Sequence, residues 1–472
     1  MSLKIVEQRL SEAIKHICGD AAEILETEAE EIVAQCGIKE LTADMVCQGK
    51  TPHGIACLWL HARLHSQTSA KAVEPCNSQT SYPLLPYSQI VFDNIQQGNL
   101  EAWNFQVTLR TESNKIDTEK LRQAIETATN NHPVFRCRID EQGTQHFEKE
   151  YRTPYFNYSV TESDGHIYLS FSINRILGDA TSFILFFEDI SRAYEGKTLS
   201  ADTYLEYLQR QEAHRQSEEY AEHGRILHQQ LDSLDCPVRP KTDFPLCSDA
   251  ESCVGELYDD YSSLKDSLAL LERDAHLSLN AVFTMATALA IMDYNETDQA
   301  ALTWAYVGRE NEAEQHIMGS LHRDIPFVLS RKQDEESAIS RSHSSCRSSL
   351  INVAREQMQQ GVVLSDYPYT FQPSSRARWK NAVNVLLQPT FVPRLAGIDW
   401  EFCQESSLHE HDNTESKNKK ESYCLLDIEI CPSPLMLTFK YSSAHYKPAS
   451  IQRFAEMVHK NIACIIHAGV KS

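Results

Sequence analysis

The sequence of 472 residues predicts a mixed α/β (α+β) protein of two lobes, with a small helical bundle in front. Three observations carry this. Apolar residues alternate at Trp103, Phe105, Val107 and Leu109, and again at Ile167, Leu169, Phe171 and Ile173, which is the two-residue period of half-buried strands. Between them Leu121, Ile125 and Ala128 recur at helical spacing behind Asp117, a residue type that starts helices. A turn-rich stretch, SLDCPVRPKTDFPLCSDAESC at residues 233–253, then interrupts the pattern, and a similar strand and helix rhythm begins again after it.

The elements follow in order. Residues 1–64 read as the helical bundle. Val6, Leu10, Ile14 and Ile17 mark its first helix. A second helix has Glu23, Glu26, Glu28, Glu30 and Glu31 on its wet side and ends near Gly37. Short helices are expected over LTADMVC and over residues 51–64. Residues 65–81 are polar and aperiodic, as a linker is. The first lobe is assigned to residues 82–240, with one polar helix expected over 202–232, and the second lobe to 241–472. The second lobe opens on a strand at 254–260, and an apolar helix, LNAVFTMATALAIM, leads into the strand AALTWAYV. Leu426, Ile428 and Ile430, then Leu435, Leu437, Phe439 and Tyr441, make a hairpin across CPSP. A last helix presents Ile451, Phe454, Met457, Val458, Ile462 and Ile465.

Bulk composition narrows the partners. With 44 basic against 66 acidic residues and a net charge of −22, the sequence argues against a nucleic-acid partner, whose affinity comes from clustered Lys and Arg. No apolar run approaches the ~20 residues of a membrane span, and MSLKIVEQRL has no secretory apolar core. A cytoplasmic protein with neither membrane nor nucleic-acid partner is expected. The 14 cysteines include no CxxC pair, so neither a disulfide framework nor a metal site is predicted. His409, Glu410, His411 and Asp412 open a polar segment with the composition of a loop.

Separated segments together resemble a nonribosomal peptide synthetase condensation domain. YPLLPYSQIVF (82–92) is similar to the family's opening motif, and NHPVFRCRI (131–139) to RHxxLRTxF. NRILGDATS (174–182) is similar to HHxxxDGxS. VGREN with GSLHRDIPFVL (307–329) resembles the GR and NTLPL region, and SDYPYTF (365–371) the later HxDxPF segment. The resemblance spans about residues 82–472. It implies two chloramphenicol-acetyltransferase-like lobes in a V with a central tunnel, where carrier-tethered substrates meet. In front, KELTADMVCQGKTPHGIACL resembles the last helices of a carrier (thiolation) domain. No serine stands in the context that would bear the phosphopantetheine arm; one alignment puts Ala21 there, another drops the whole loop, and a third begins the arm-bearing helix at Ser2.

The central motif departs from the family at its working position. Amide formation from a thioester needs the attacking amine to lose a proton, and the second histidine of HHxxxDG serves there as base or hydrogen-bond acceptor. Here that residue is Arg175. A guanidinium stays charged at neutral pH and has donors only, so it cannot take the proton. It can offer positive charge to an anion or a developing oxyanion. Asn174 replaces the first histidine and Ala180 the glycine, while Asp179 persists. Asn174, Arg175 and Asp179 are therefore the degenerate catalytic positions. The resemblance implies that Asp179 is architectural and predicts a buried salt bridge between Arg136 and Asp179. An alternative lets Arg175 itself reach Asp179 and close the tunnel. His132 reads as a packed histidine of the RHxx motif, and Gln89 as bonded to backbone. His132, Ser182, His322 and Arg323 are the tunnel-lining candidates.

Two functions follow from the resemblance. The first is a silent condensation-like domain that binds a carrier with its tethered acyl or peptidyl group, a neighbouring synthetase domain or a tailoring enzyme. An arginine-bearing relative in glycopeptide assembly lines recruits oxygenases in this way. The second is a working acyl or peptidyl transferase that relies on positioning, worth about 7–11 kcal/mol without a base. No cofactor is expected on this chain itself; the phosphopantetheine arm would arrive on the partner carrier.

Overall fold

The computed structural model divides into two units, Met1–Gln79 and Thr80–Ser472. Between residues 81 and 469 it describes all positions except 99, 101–102, 247–253, 276, 332–342 and 404–424. Before residue 81 it describes the helix α1 (Glu26–Cys36) and scattered positions between 10 and 55. Ala21, Ser2, residues 65–80 of the expected linker, positions 44, 45 and 47, nearly all of the helix expected over 51–64, and His409 to Asp412 lie outside the described residues, while Ser81, assigned to the linker, opens the first strand. In the first unit Ala29, Ile32 and Cys36 form one face of α1, buried with Leu10, Ile38, Leu41, Val46 and Ile55.

The second unit begins with β1 (Ser81–Pro83), α2 (Pro86–Gln96), β2 (Asn104–Glu112) and α3 (Thr118–Asn131). Asp117 caps α3 by accepting from the Lys120 amide at 2.9 Å, as its residue type predicts. Next come β3 (Cys137–Ile139), β4 (Thr144–Phe147), β5 (Phe156–Ser163) and β6 (His166–Asn174). Asp164 and Gly165, with φ of 51° and 73°, make the tight turn between β5 and β6, a conformation that favours glycine. Both β2 and β5 pair antiparallel with β6, in a register that sets Val107 opposite Phe171 and Leu109 opposite Leu169. These inward residues meet Leu121 and Ile125 of α3 and Phe183, Phe186 and Ile190 of α4 (Ala180–Tyr194) in the first core. The single helix expected over 202–232 is two, α5 (Tyr204–Arg215) and α6 (Glu218–Leu231). Ser217 breaks the run because its side chain caps α6, accepting from the Tyr220 amide at 3.1 Å.

The second half contains β7 (Val254–Asp260), α7 (Lys265–Ala275), α8 (Leu279–Asn295), β8 (Gln299–Tyr306), β9 (Arg323–Ser330) and α9 (His343–Leu364). It continues with α10 (Pro373–Trp379), β10 (Asn384–Leu387), β11 (Arg394–Leu395), β12 (Ile398–Asp399) and β13 (Glu401–Phe402). It ends with β14 (Leu426–Pro432), β15 (Leu435–Ser442) and α11 (Pro448–Gly469). Six strands form a mixed sheet in the order β7-β15-β14-β10-β8-β9, with β10 parallel to both neighbours. Because α8 packs against this sheet and α11 together, it is apolar on nearly all sides.

The halves interlock. β13 joins the first half's sheet, placing Phe402 opposite Leu109. Ile317, Met318, Leu321, Leu395 and Trp400 are buried in the first core. In return Leu227 and Leu231 of α6 pack with Ala301, Leu364 and Tyr369. The connection between β8 and β9 and the start of α4 are thereby held face to face.

Candidate functional site

Residues 174–179 form the turn from β6 into α4. Asn174 is fully buried and structural: its Oδ1 accepts from the Ile176 amide at 3.0 Å, and its Nδ2 donates to Asn104 Oδ1 at 2.7 Å and to Leu100 O at 3.2 Å. Arg175 is held at its backbone by a 2.9 Å bond from its amide to Trp103 O, while its side chain is exposed. That side chain lies close enough to the Tyr87 phenol to act on it electrostatically. Burial raises the Tyr87 hydroxyl above its usual range, and Arg175 works in the opposite direction.

Asp179 caps α4. Its Oδ1 accepts from the Ser182 amide at 2.9 Å and from Ser182 Oγ at 2.8 Å. Its cationic partner is Arg309, not Arg136: two bonds of 3.0 Å join the guanidinium to the two carboxylate oxygens. Backbone amides of Leu321 and His322 complete the shell at 3.0 and 3.3 Å. The predicted Arg136–Asp179 bridge is therefore corrected. Arg136 ends the short helical turn that follows α3, from where it donates to Asn130 O at 2.6 Å. Burial alone would raise the Asp179 carboxyl, but Arg309 beside it wins and holds it below the usual range. Arg309, whose side chain is wholly buried, also reaches Ser182 Oγ, Ile317 O and Gly319 O.

Gly308 makes room for this arrangement. It has φ +69°, and a Cβ there would lie 2.0 Å from Leu321 O. The GR pair therefore works as a unit: glycine admits the close backbone, and arginine crosses to Asp179.

The four tunnel-lining candidates separate. His132 is fully buried inside the first half, with Nδ1 2.6 Å from Asp202 and Nε2 3.1 Å from Asp189, so it does not line a channel. Burial would lower this imidazole, but the two carboxylates prevail and raise it. Ser182 is also buried, committed to Asp179 and Gly319. Both are corrected: the spacing that put them near the motif serves packing and capping. His322 and Arg323 do line a cleft, with Leu85, Tyr207, Asp324 and Asp366 among its walls. Its volume of about 40 Å³ is of the order of one or two waters. Arg323 bonds Glu310 Oε1 at 3.1 Å and Ser365 Oγ at 3.0 Å. Gln89 donates to Asp93 Oδ1 at 2.9 Å rather than to backbone.

His322 is the residue that gains most from the geometry. Its ring meets Tyr87 edge-on, with centroids 4.0 Å apart, so Arg175, Tyr87 and His322 form one cluster. Its Nδ1 is buried and finds no hydrogen-bond partner among the described residues. Asp324 is raised by burial, with the nearby His322 acting the other way. Sequence reasoning assigned no role to Arg309, Tyr87 or Asp324. Each sits inside a quoted motif segment, and the available signal was that a buried Asp179 needs a buried cation.

Comparison with known proteins agrees with this architecture. The family model described as the Condensation domain matches residues 141–471. No curated protein matches the chain. Among solved structures, the epimerization domain from the third module of tyrocidine synthetase B has TM-score 0.65 at 16% identity, covering 83% of this chain and 98% of that one. The EpoB cyclization-docking bidomain from Sorangium cellulosum has TM-score 0.62 at 14% identity, covering 87% and 92%. The X-domain from teicoplanin biosynthesis has TM-score 0.61 at 13% identity, covering 84% and 97%. Among the described residues no helix is long and apolar enough to cross a membrane. With the Condensation model spanning well over half of the sequence and the same mixed fold in each of these structures, this chain belongs to the condensation domain family.

Proposed function

We propose that the chain is a component of a nonribosomal peptide synthetase system whose histidine-based amide-forming step is impaired or silent. It acts by binding a carrier domain with its phosphopantetheine-tethered group, a neighbouring synthetase domain or a tailoring enzyme. One observation carries the reading: the side chain at the motif's proton-accepting position is the Arg175 guanidinium, set near the Tyr87 phenol. Its donors can hold an anion or a carbonyl oxygen but take no proton from an amine. Likeness in fold to the teicoplanin X-domain supports the partner-binding role by analogy. The N-terminal unit is, in this proposal, a degenerate carrier-like domain with Ala21 at the arm-bearing position.

The test offers an acyl-loaded carrier and a panel of amines to wild type, Arg175→His and Arg175→Ala, with products read by intact mass. Silence in wild type with product from Arg175→His is the expected result. Product from wild type that vanishes in Arg175→Ala would refute it.

A second reading, an active acyl or peptidyl transferase forming an amide, ester or ring, is favoured by His322. It supplies an imidazole whose buried Nδ1 has no hydrogen-bond partner among the described residues and whose ring centroid lies 4.0 Å from that of Tyr87.

A further inference from the structure

Away from the Arg175 cluster, three metal-ligand side chains converge where α5, α6 and the segment after α9 meet. His214 lies in the last turn of α5, His223 in α6, and Asp366 two residues beyond α9. The Asp366 carboxylate divides between the imidazoles: Oδ2 meets His214 Nε2, and Oδ1 lies 2.7 Å from His223 Nδ1. One ligand atom from each residue lies within 4.8 Å of the other two. The side chains are 28%, 12% and 13% exposed in that order, buried enough to be held and open enough for an ion to enter.

We propose that His214, His223 and Asp366 bind a divalent transition-metal ion, with Zn²⁺ preferred and solvent completing its shell. Two imidazoles and one carboxylate are the donor set of three-ligand zinc sites, which keep a position for water. Zinc bonds of about 2.0–2.2 Å place neighbouring donors roughly 3–4 Å apart, so on binding the carboxylate would withdraw slightly and the imidazole nitrogens would close up from a spread of up to 4.8 Å. An outer hydrogen bond is in place as well: His214 Nδ1 lies 3.4 Å from Ser217 Oγ, which orients the ring with Nε2 inward. Glu219 and Glu222 add negative potential around His223. Such an ion would tie the α5 and α6 pair to the second half beside the cleft that Asp366 and Arg215 also line. This proposal is independent of the reading of Arg175.

The test uses the full chain, stripped with chelator and desalted. Zn²⁺ is titrated against a chromophoric competitor, Co²⁺ absorption reports the donor set, and thermal unfolding is followed with and without Zn²⁺. Wild type is expected to bind one equivalent that His214→Gln/His223→Gln loses or holds at least roughly tenfold more weakly. Zn²⁺ is expected to raise the unfolding temperature of wild type and leave that of the variant unchanged. The Co²⁺ spectrum is expected to lack thiolate charge-transfer bands. Absence of Zn²⁺ binding at micromolar concentration overturns the proposal. So does an equivalent retained in the double variant but lost in His409→Gln/His411→Gln, or a thiolate spectrum. If the double variant does not fold, His214→Gln alone with the wild-type Co²⁺ spectrum decides: unchanged affinity overturns the site.

Discussion

Arg309 grips Asp179 through two 3.0 Å bonds that close 130 residues of chain. Both side chains are almost entirely out of water, with 0% and 7% exposure. The pair fixes the start of α4 against the β8–β9 connection. It therefore sets the turn that carries Arg175 and the backbone that carries His322.

Removing one partner leaves the other charged and buried. Arg309→Met is expected to cost about 3–5 kcal/mol in urea unfolding, and Asp179→Leu a similar amount. Pairing the two changes should recover part of the loss, as a double-mutant cycle would show. Arg136→Ala, by contrast, deletes a bond to Asn130 O on the surface of the first half and should cost less than about 1 kcal/mol. Equal losses at Arg136 and Arg309 would contradict the pairing.

Acid acts on the same pair. The Asp179 carboxyl is lowered from its ordinary 3.8, with Arg309 outweighing burial. A lowered carboxyl contributes stability that is fully present above the unfolded value and is lost as pH falls through the folded one. Unfolding free energy should therefore drop below about pH 4. Asp179→Asn, less stable at neutral pH, should show a shallower acid loss. An identical acid slope in the variant would assign the sensitivity elsewhere.

The sequence showed most of the fold because local rules agreed with tertiary structure. Alternation marked β2 and β6, which pair over their full length, and Asp117 marked the cap of α3. What it hid was contact between distant segments. Nothing local tells Arg309 from Arg136 as the partner of Asp179, since each stands in a quoted motif and only the crossing of the two halves decides. The Ser217 break was legible, a capping serine with Glu218 and Glu219 in the next turn, but the polar run masked it. His214 and His223 gave no signal either, because their shared partner Asp366 lies more than 140 residues away.

His132 sets the opposite pH dependence. Burial lowers this imidazole, yet Asp189 and Asp202 raise it above 6.5. A raised histidine contributes stability that is fully present below the unfolded value and is lost as pH rises through the folded one. The first half should therefore weaken on the alkaline side of about pH 6.5. Asp202 also accepts from the amides of Tyr204 at 2.8 Å and Met318 at 3.1 Å, so the loss reaches the contact between halves. His132→Gln should remove this alkaline slope in a series of unfolding curves. A slope that survives the substitution would place the titrating group elsewhere.

The Arg175, Tyr87 and His322 cluster separates the two functional readings. The turn that carries Arg175 is held by Asn174 and by the bond to Trp103 O, neither of which involves the arginine side chain. Arg175→His should therefore fold as wild type does and present an imidazole toward Tyr87. A positioned base contributes about 10²–10⁴-fold in rate, so product from this variant should rise by that order over wild type if the acceptor site persists. His322→Ala should then leave wild type unchanged, because its background owes nothing to a base. In a transferase that has moved its base to the β9 side of the cleft, the same substitution would lower wild-type product by the same order. Measuring both variants under one carrier concentration makes the readings exclusive, since the first predicts a gain from Arg175→His with no loss from His322→Ala, and the second predicts a loss from His322→Ala.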